Sequence, residues 1–183
     1  MSYLNKNGDL EKENWQLIKI SKVNDKIIER LVDNLKTDIS EDFFLSLESL
    51  LRIGKKAKRV IESVLHNGDK LPALTKDIFI LILNFINNQD IEDPLILQLY
   101  NVDFITRARA LMLIEESREL KYLKYILPLL NDPDDSVRAV LIKLLDNLNL
   151  INNPMVFHKL QDHLEKEKNL VIQKNLEEIF KKS

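Results

Sequence analysis

The feature that most constrains this chain is an apolar helical pattern that recurs every 31 to 34 residues. Its clearest copy runs from Ile126 to Leu148, where two apolar stretches flank the turn Asn-Asp-Pro-Asp-Asp. Shifting the second stretch along the chain aligns its four apolar positions with apolar residues at all four positions in two other places. Three of the four match in another place, and two match in the last copy, where Asn175 intrudes. A fixed period of this length predicts stacked helical units that share one continuous core.

The period predicts five helical hairpins, each with a first and a second helix. First helices are expected near 25–37, 56–67, 93–100, 119–131 and 154–167. Second helices are expected near 41–53, 73–87, 103–117, 135–148 and 169–182. Residues 9–22 are expected to form one further helix, so that an N-terminal segment, 1–22, caps a repeat domain spanning 23–183. The predicted fold class is therefore all-α, an α-solenoid of about five hairpins with an N-terminal capping helix.

Local start and stop residues agree with these limits. Asp93 and Asn153 each precede a proline, which places a capping side chain before a residue whose missing N–H is harmless at the first helical position. Gly54 and Gly68 follow helical stretches, where glycine commonly adopts a left-handed conformation. Helices are therefore expected to begin and end at these residues.

The turn in the clearest repeat is predicted to be architectural rather than a ligand site. Pro133 ends the first helix because it cannot continue the hydrogen-bond ladder. Asp134 or Asp135 is expected to cap the second helix, where the helix dipole also favours negative charge. Pro128 lies inside the first helix and removes its bond to the carbonyl of Lys124, which predicts a kink there.

The stretch LLNDPDDSVRAVLIKLLDNL resembles the HEAT-repeat family, in particular its short, phycobilisome-lyase-like class. The resemblance is carried by Pro128, by the Asp-Pro-Asp turn at 132–134 and by Val137-Arg138 with the leucines that follow. One repeat, 120–149, matches well, and the others match mainly by period and apolar pattern. Because HEAT repeats usually run to about 40–47 residues, the shorter period is a departure. The resemblance implies a right-handed solenoid whose second helices line a concave face.

The same resemblance suggests roles for several charged residues. In that family an aspartate and an arginine from successive repeats commonly form a ladder, which gives Asp132 and Arg138 a stacking role. Arg107 occupies the position that matches Arg138, although Val102-Asp103 replaces the Asp-Pro-Asp turn there. We therefore expect these residues, together with the turn residues Pro128, Pro133 and Asp134, to serve the architecture.

Composition excludes several classes of protein. The chain has 183 residues, of which 45% are hydrophobic and 31% charged, the balance of a globular domain with a substantial core. A net charge of −2 implies no bulk attraction to nucleic acid or acidic lipid, and the lack of cysteine excludes disulfides and thiolate chemistry. The opening residues contain no apolar signal-peptide region, and the longest apolar run, Ile78–Ile86, is too short to span a bilayer. These features favour a cytoplasmic protein without a membrane segment.

The sequence offers no catalytic, cofactor-binding or metal-binding constellation. His158 and His163 share a helix but lie about 140° apart around it, so they cannot ligate one ion together. His66 is the third histidine, and surface positions are expected for all three. No phosphate-binding glycine loop, nucleophile elbow or His-Glu-x-x-His motif occurs, and the basic run Lys55–Arg59 is expected to form the solvent face of a helix.

The concave face offers a more specific hypothesis. With core positions at Val137, Leu141 and Leu144, positions 139, 142, 143 and 146 point away from that core. These positions and their equivalents in the other second helices together carry three basic and four acidic residues, which argues against a nucleic-acid groove. What remains is a predicted apolar stripe across the middle of the array: Phe79, Ile80, Leu83, Leu111, Met112 and Ile142.

An exposed apolar stripe of this kind usually marks a protein partner. We therefore expect a non-catalytic interaction module that binds a peptide or an amphipathic helix on its concave face. A nucleic-acid repair protein or lyase-like HEAT protein is one alternative, and a structural protein that self-associates through the stripe is another. An error of one residue in the register would instead rotate the stripe by 100° into the core.

Overall fold

The computed structural model describes residues 23–67, 71–89 and 93–181, and within these ranges every regular element is helical. The ten α-helices in these ranges are α1 Asp25–Asn34, α2 Glu41–Ile53, α3 Lys55–Asn67, α4 Ala73–Ile86, α5 Pro94–Leu99, α6 Phe104–Ser117, α7 Leu123–Ile126, α8 Asp135–Asn147, α9 Pro154–Leu164 and α10 Leu170–Phe180. The all-α expectation is confirmed for the described residues, and none of their helices has the length and apolarity to cross a bilayer. The expected capping helix at 9–22 lies outside the described residues.

Side-chain caps define the helix starts as expected. Asp93, Asp134 and Asn153 each accept a hydrogen bond from the backbone N–H two residues further on, at 3.2, 2.9 and 2.9 Å. Of the two candidate caps of this helix, Asp134 and Asp135, Asp134 is the one that accepts the hydrogen bond. Gly54 ends α2 with a φ of 63°, a backbone conformation in which a side chain would be strained. Gly68 lies outside the described residues.

The expected helix at 119–131 is not continuous. It is divided into a 3-10 turn at Leu120–Tyr122, the short helix α7, and a second 3-10 segment at Leu127–Asn131. Pro128 explains the second break, because a residue without an N–H cannot donate to the carbonyl four residues earlier. The kink expected at this proline is thus a change from α to 3-10 geometry, and the expectation of one helix there is wrong.

The second helices of the last three hairpins pack side by side. α6 lies against α8, and α8 lies against α10, while the segment 127–131 packs on α8 from the first-helix side. The apolar positions inferred for the clearest repeat, Val137, Leu141 and Leu144, have no exposed surface. One apolar core therefore runs through these three hairpins.

The first hairpin departs from a strictly neighbour-to-neighbour stack. Besides packing on α4, helix α2 brings Phe43 to 5.9 Å from Tyr100, measured between ring centroids, although Tyr100 belongs to the third hairpin. Phe44, the next residue, lies 4.0 Å beneath the guanidinium of Arg107. The Tyr100 hydroxyl in turn donates to the carbonyl of Tyr125 at 2.6 Å. The first hairpin thus contacts the third directly.

A buried ion pair joins the third hairpin to the fourth. Arg107 donates from Nε and from a terminal nitrogen to the two carboxylate oxygens of Asp132, both at 2.7 Å. Its other terminal nitrogen donates to the carbonyls of Asn101 and Val102, six and five residues earlier in its own turn. Arg107 and Asp132 are 3% and 2% exposed, so both charges are removed from water and depend on each other.

The same arrangement recurs one repeat later. Arg138 donates two bonds of 2.8 Å to the carboxylate of Glu167. It also donates to the carbonyls of Asp132 and Pro133, again six and five residues earlier. We call the pairs Arg107–Asp132 and Arg138–Glu167 the rungs of the ladder. Each arginine therefore fixes its own turn and also binds the acid of the next repeat.

Neutral side chains occupy the two ends of the ladder. Asn101 stands one repeat before Asp132, and like Asp132 it accepts from the backbone N–H two residues further on, at 2.9 Å. Gln173 lies 35 residues after Arg138, the same separation that Glu167 has from Asp132 and one more than the sequence period predicts, and it donates to a carbonyl six residues earlier, that of Glu167. Both residues keep the bond within their own turn without carrying a charge. Charged groups thus occur where the adjacent repeat supplies a partner.

We expect Arg107→Gln to lower the free energy of unfolding by about 3–5 kcal/mol, because it leaves the Asp132 carboxylate buried without a counter-ion. The double substitution Arg107→Gln/Asp132→Asn reproduces the neutral ends of the ladder and should be less destabilising than the single one. Denaturant unfolding followed by circular dichroism measures both changes.

Arg109→Gln provides the control, because Arg109 is exposed on the same helix. It should change the unfolding free energy by less than about 0.5 kcal/mol. Equal stabilities of the Arg107 and Arg109 variants would show that the rung does not stabilise the fold.

Candidate functional site

The apolar stripe inferred from sequence divides into core and surface residues. Phe79, Leu111 and Ile142 are 0%, 0% and 3% exposed, whereas Ile80 and Met112 are 43% and 49% exposed. Leu83 is intermediate. The expectation of one continuous exposed stripe is therefore wrong for the three buried residues.

The physical reason is the number of neighbours around each second helix. Phe79, Leu111 and Ile142 occupy the same place in successive repeats, and so do Ile80, Met112 and Lys143 one residue later. A second helix packs against its own first helix and against the helices before and after it, so its buried face is wider than a single stripe. The position of Phe79, Leu111 and Ile142 therefore falls inside the buried face, and the next position along the helix lies just beyond it.

A surface groove of about 370 Å³ lies between α8 and α10. From α8 it is lined by Val140 and by the four positions predicted to form the inner face of this helix, Ala139, Ile142, Lys143 and Asp146. Although its exposed area is small, Ile142 forms part of the groove. Asn175 lines the opposite wall, on α10, and is exposed.

The groove combines an apolar floor with charged edges. Ile142 of α8 and Ile172 and Ile179 of α10 supply the apolar surface, and Lys143 and Glu178 are among the charged residues beside it. An apolar centre with a polar rim is the usual anatomy of a protein-binding surface. We call this feature the α8/α10 groove.

A larger cavity of about 640 Å³ opens on the first-helix side of the array. One wall is the segment 120–131, the other is α9 with the turn that follows it, and Asp38 from the first hairpin completes the lining. Four lysines line it: Lys121, Lys124, Lys159 and Lys166. Sequence analysis missed this lysine cavity because its walls are about 35 residues apart in the chain and the broken helix at 120–131 was expected to be regular.

One buried histidine connects the lysine cavity to the ladder. His163 is 7% exposed and lines the cavity, and its Nε2 lies 2.9 Å from the carboxylate of Glu167. The expectation of a surface histidine is therefore wrong for His163, while His66 and His158 are exposed. Burial lowers the pKa of His163 below its usual value, against the opposing effect of Glu167. The imidazole is thus neutral at pH 7 and donates from Nε2.

Glu167 is the acid with the most hydrogen bonds in this region. Besides Arg138 and His163, its carboxylate accepts from the backbone N–H groups of Lys168 and Asn169, each at 2.8 Å. Burial alone raises the pKa of Glu167, but the bonds from Arg138 and from the Asn169 N–H outweigh it and lower the pKa to about 2. Sequence analysis missed this residue because its turn, Glu-Lys-Asn, lacks the proline that marks the preceding one.

Within 23–67, 71–89 and 93–181, no group of three or more histidine and carboxylate side chains is arranged to hold a metal ion. The buried His163 and Glu167 and the partly exposed Arg138 are joined by mutual hydrogen bonds and by the ladder. Their chemistry is therefore that of a structural network.

A scan against protein-family models finds no match to this chain. Comparisons with the curated proteins and with the solved structures also find no match. The functional conclusions therefore depend on the geometry of these grooves and on the residues that line them.

The network around Glu167 predicts a loss of stability in acid. Its carboxyl has a lower pKa in the folded chain than the ordinary value of 4.5, so its contribution is complete above about pH 4.5 and is lost as the pH falls toward 2. The neutral His163 adds a loss of the same sign, which begins below about pH 6.5. We expect the free energy of unfolding, measured by denaturant titration, to fall by a few kcal/mol over this acid range.

Glu167→Gln should be less stable than the parent chain at pH 7 and should show a smaller fall between pH 4.5 and 2. A variant whose stability keeps the full acid dependence would locate the responsible carboxylate elsewhere.

Proposed function

We propose that this protein is a non-catalytic interaction module, a HEAT-like right-handed α-solenoid acting in the cytoplasm, that binds a peptide or an amphipathic helix of another protein. The α8/α10 groove is the observation that carries the proposal. It lies on the second-helix side, where the resemblance to HEAT repeats expects a concave binding face. The lack of cysteine suits a reducing compartment.

The dimensions of the groove suit one short helix or an extended segment. Its α8 wall runs from Ala139 to Asp146, a rise of about 10 Å at 1.5 Å per residue. That length accommodates about two turns of a helix, whose apolar residues would contact Ile142 and the isoleucines of α10. Lys143 and Asp146 would then face polar groups at the edges of the ligand.

The recurring ladder supports the HEAT-like part of the proposal. Two successive repeats use an arginine at the same place, with the same two carbonyl acceptors and an acid in the next repeat. A device that repeats at this level of detail is what a stack of equivalent units requires. The direct contact between the first and third hairpins modifies that stack at its N-terminal side.

Filling the groove tests the proposal. We expect Asn175→Trp to place an indole in the groove and to abolish retention of a partner that wild-type protein captures from a lysate of its source cells. Asn175 is exposed, so the fold should tolerate the change, and circular dichroism checks that it does.

Asn152→Trp is the matched control, because Asn152 is also exposed and does not line the groove. It should retain the same partner as wild type. Loss of the partner in both variants, or in neither, would contradict a role for the groove.

Sedimentation equilibrium separates a foreign partner from a second copy. A mass that doubles with concentration in wild type, and does not in Asn175→Trp, would assign the groove to self-association instead.

A further inference from the structure

We propose that the lysine cavity is a second docking site, independent of the α8/α10 groove, and that it takes an acidic amphipathic segment of another protein. The occupant has leucine-like side chains on one face and carboxylates spaced to meet Lys159 and Lys166.

The shape of the cavity favours a chain segment over a compact small molecule. Residues of the first wall that line the cavity run from Leu120 to Asn131, and those of the second wall run from Met155 to Lys166. The second wall, α9 with the turn after it, spans eleven residue steps and is about 16 Å long at the helical rise. The cavity is therefore a trough open to solvent, and about three turns of a helix have the length of this wall.

The apolar part of the trough is deep and partly exposed. Leu127 and Leu130 are buried at its floor, whereas Leu120 and Met155 are 59% and 51% exposed on opposite walls. Large apolar side chains exposed on both sides of a cavity are covered when an apolar ligand enters it. The occupant therefore needs an apolar face.

The charges of the lining select the sign of the occupant. Four lysines and two aspartates, Asp38 and Asp162, line the cavity, so a positive charge is available to an occupant only where a lysine is not already paired. Lys121 and Lys124 are bound by carboxylates of neighbouring segments, at 2.7 Å from Glu119 and 2.8 Å from Asp77.

The two lysines of the α9 wall are different. Among the described residues, neither Lys159 nor Lys166 has an ion-pair partner, and Asp162 between them is paired with neither. They lie seven residues apart, Lys159 on α9 and Lys166 in the turn just after it, so their Cα atoms are about 10 Å apart if the turn continues the helical rise. Two carboxylates at the same spacing on a bound helix would meet both.

The lining favours an acidic peptide over a nucleic acid. Its described residues include no arginine, phenylalanine, tyrosine or tryptophan, and its one aromatic ring, the imidazole of His163, is buried and bonded to Glu167. Its two aspartates would also repel a phosphate backbone locally. A phosphate backbone would also not bury the apolar surface of the leucines at the floor of the cavity.

A fluorescein-labelled peptide of about 12 residues, with leucine and glutamate arranged on opposite faces of a helix, is the probe, and fluorescence anisotropy with the full chain is the measurement. We expect saturable binding that weakens when NaCl is raised from roughly 50 to roughly 300 mM. A peptide with lysine in place of every glutamate should bind about tenfold more weakly or not at all.

Lys159→Glu/Lys166→Glu should weaken binding of the acidic peptide by about tenfold or more. Lys174→Glu/Lys181→Glu is the matched control, since Lys174 is exposed on α10, Lys181 is exposed just after its end, and the two lie at the same spacing of seven residues without lining the cavity. The control should bind as wild type does, and so should Asn175→Trp, which fills the other groove. Because the lysine variants change only the lysine cavity and Asn175→Trp changes only the α8/α10 groove, each proposal can fail without the other.

Met155→Glu tests the same cavity without removing a lysine. It should weaken the acidic peptide by repulsion, whereas Met112→Glu, at a methionine of similar exposure outside the cavity, should not. Circular dichroism verifies that each variant keeps its helicity.

Four outcomes would overturn the proposal. The first is that wild type does not bind the acidic peptide, and the second is that both lysine-pair variants weaken binding equally. The third is that a labelled oligothymidylate binds more tightly than the peptide, with the same dependence on Lys159 and Lys166. The fourth is that wild type dimerises with increasing concentration and the Lys159→Glu/Lys166→Glu variant does not. A shift of Trp15 emission without peptide, in that variant and not in its control, would assign the cavity to the chain's own N-terminal segment instead.

Discussion

The buried pairing of Arg107 with Asp132 is the interaction on which the rest of the structure depends. Two charges that are almost completely removed from water are tolerable only when each satisfies the other. Because the same guanidinium also holds two carbonyls of its own turn, the pair sets the spacing of two hairpins and the shape of the turn between them. The positions of α6 and α8, and so of the surfaces they present, follow from this one contact.

Much of the architecture could be predicted from sequence because helical hairpins are local structures. Prolines, capping side chains and apolar periodicity act within a few residues, so second helices such as Glu41–Ile53 begin and end where the pattern places them. The resemblance also pointed to Arg107, Asp132 and Arg138. Glu167 was missed because its turn has a different local sequence, although it plays the same part in space.

The functional surfaces were harder to predict because they depend on how separate elements meet. A single residue step separates buried Leu111 from exposed Met112, and the choice between them is made by the helices packed on either side. The lysine cavity depends on a break in the chain at Pro128 and on the approach of Asp38 from the first hairpin. Neither periodicity nor composition contains that information.

The neutral residues Asn101 and Gln173 have a consequence for how such a chain can lengthen by duplication. A copy of the repeat inserted between them would bring its own arginine and its own acid, so every buried charge would still find an opposite one in the adjoining unit. A copy joined beyond either amide would leave one charge buried without a counter-ion. The interior of the ladder is therefore the permissive place for growth, and the two amides mark its ends.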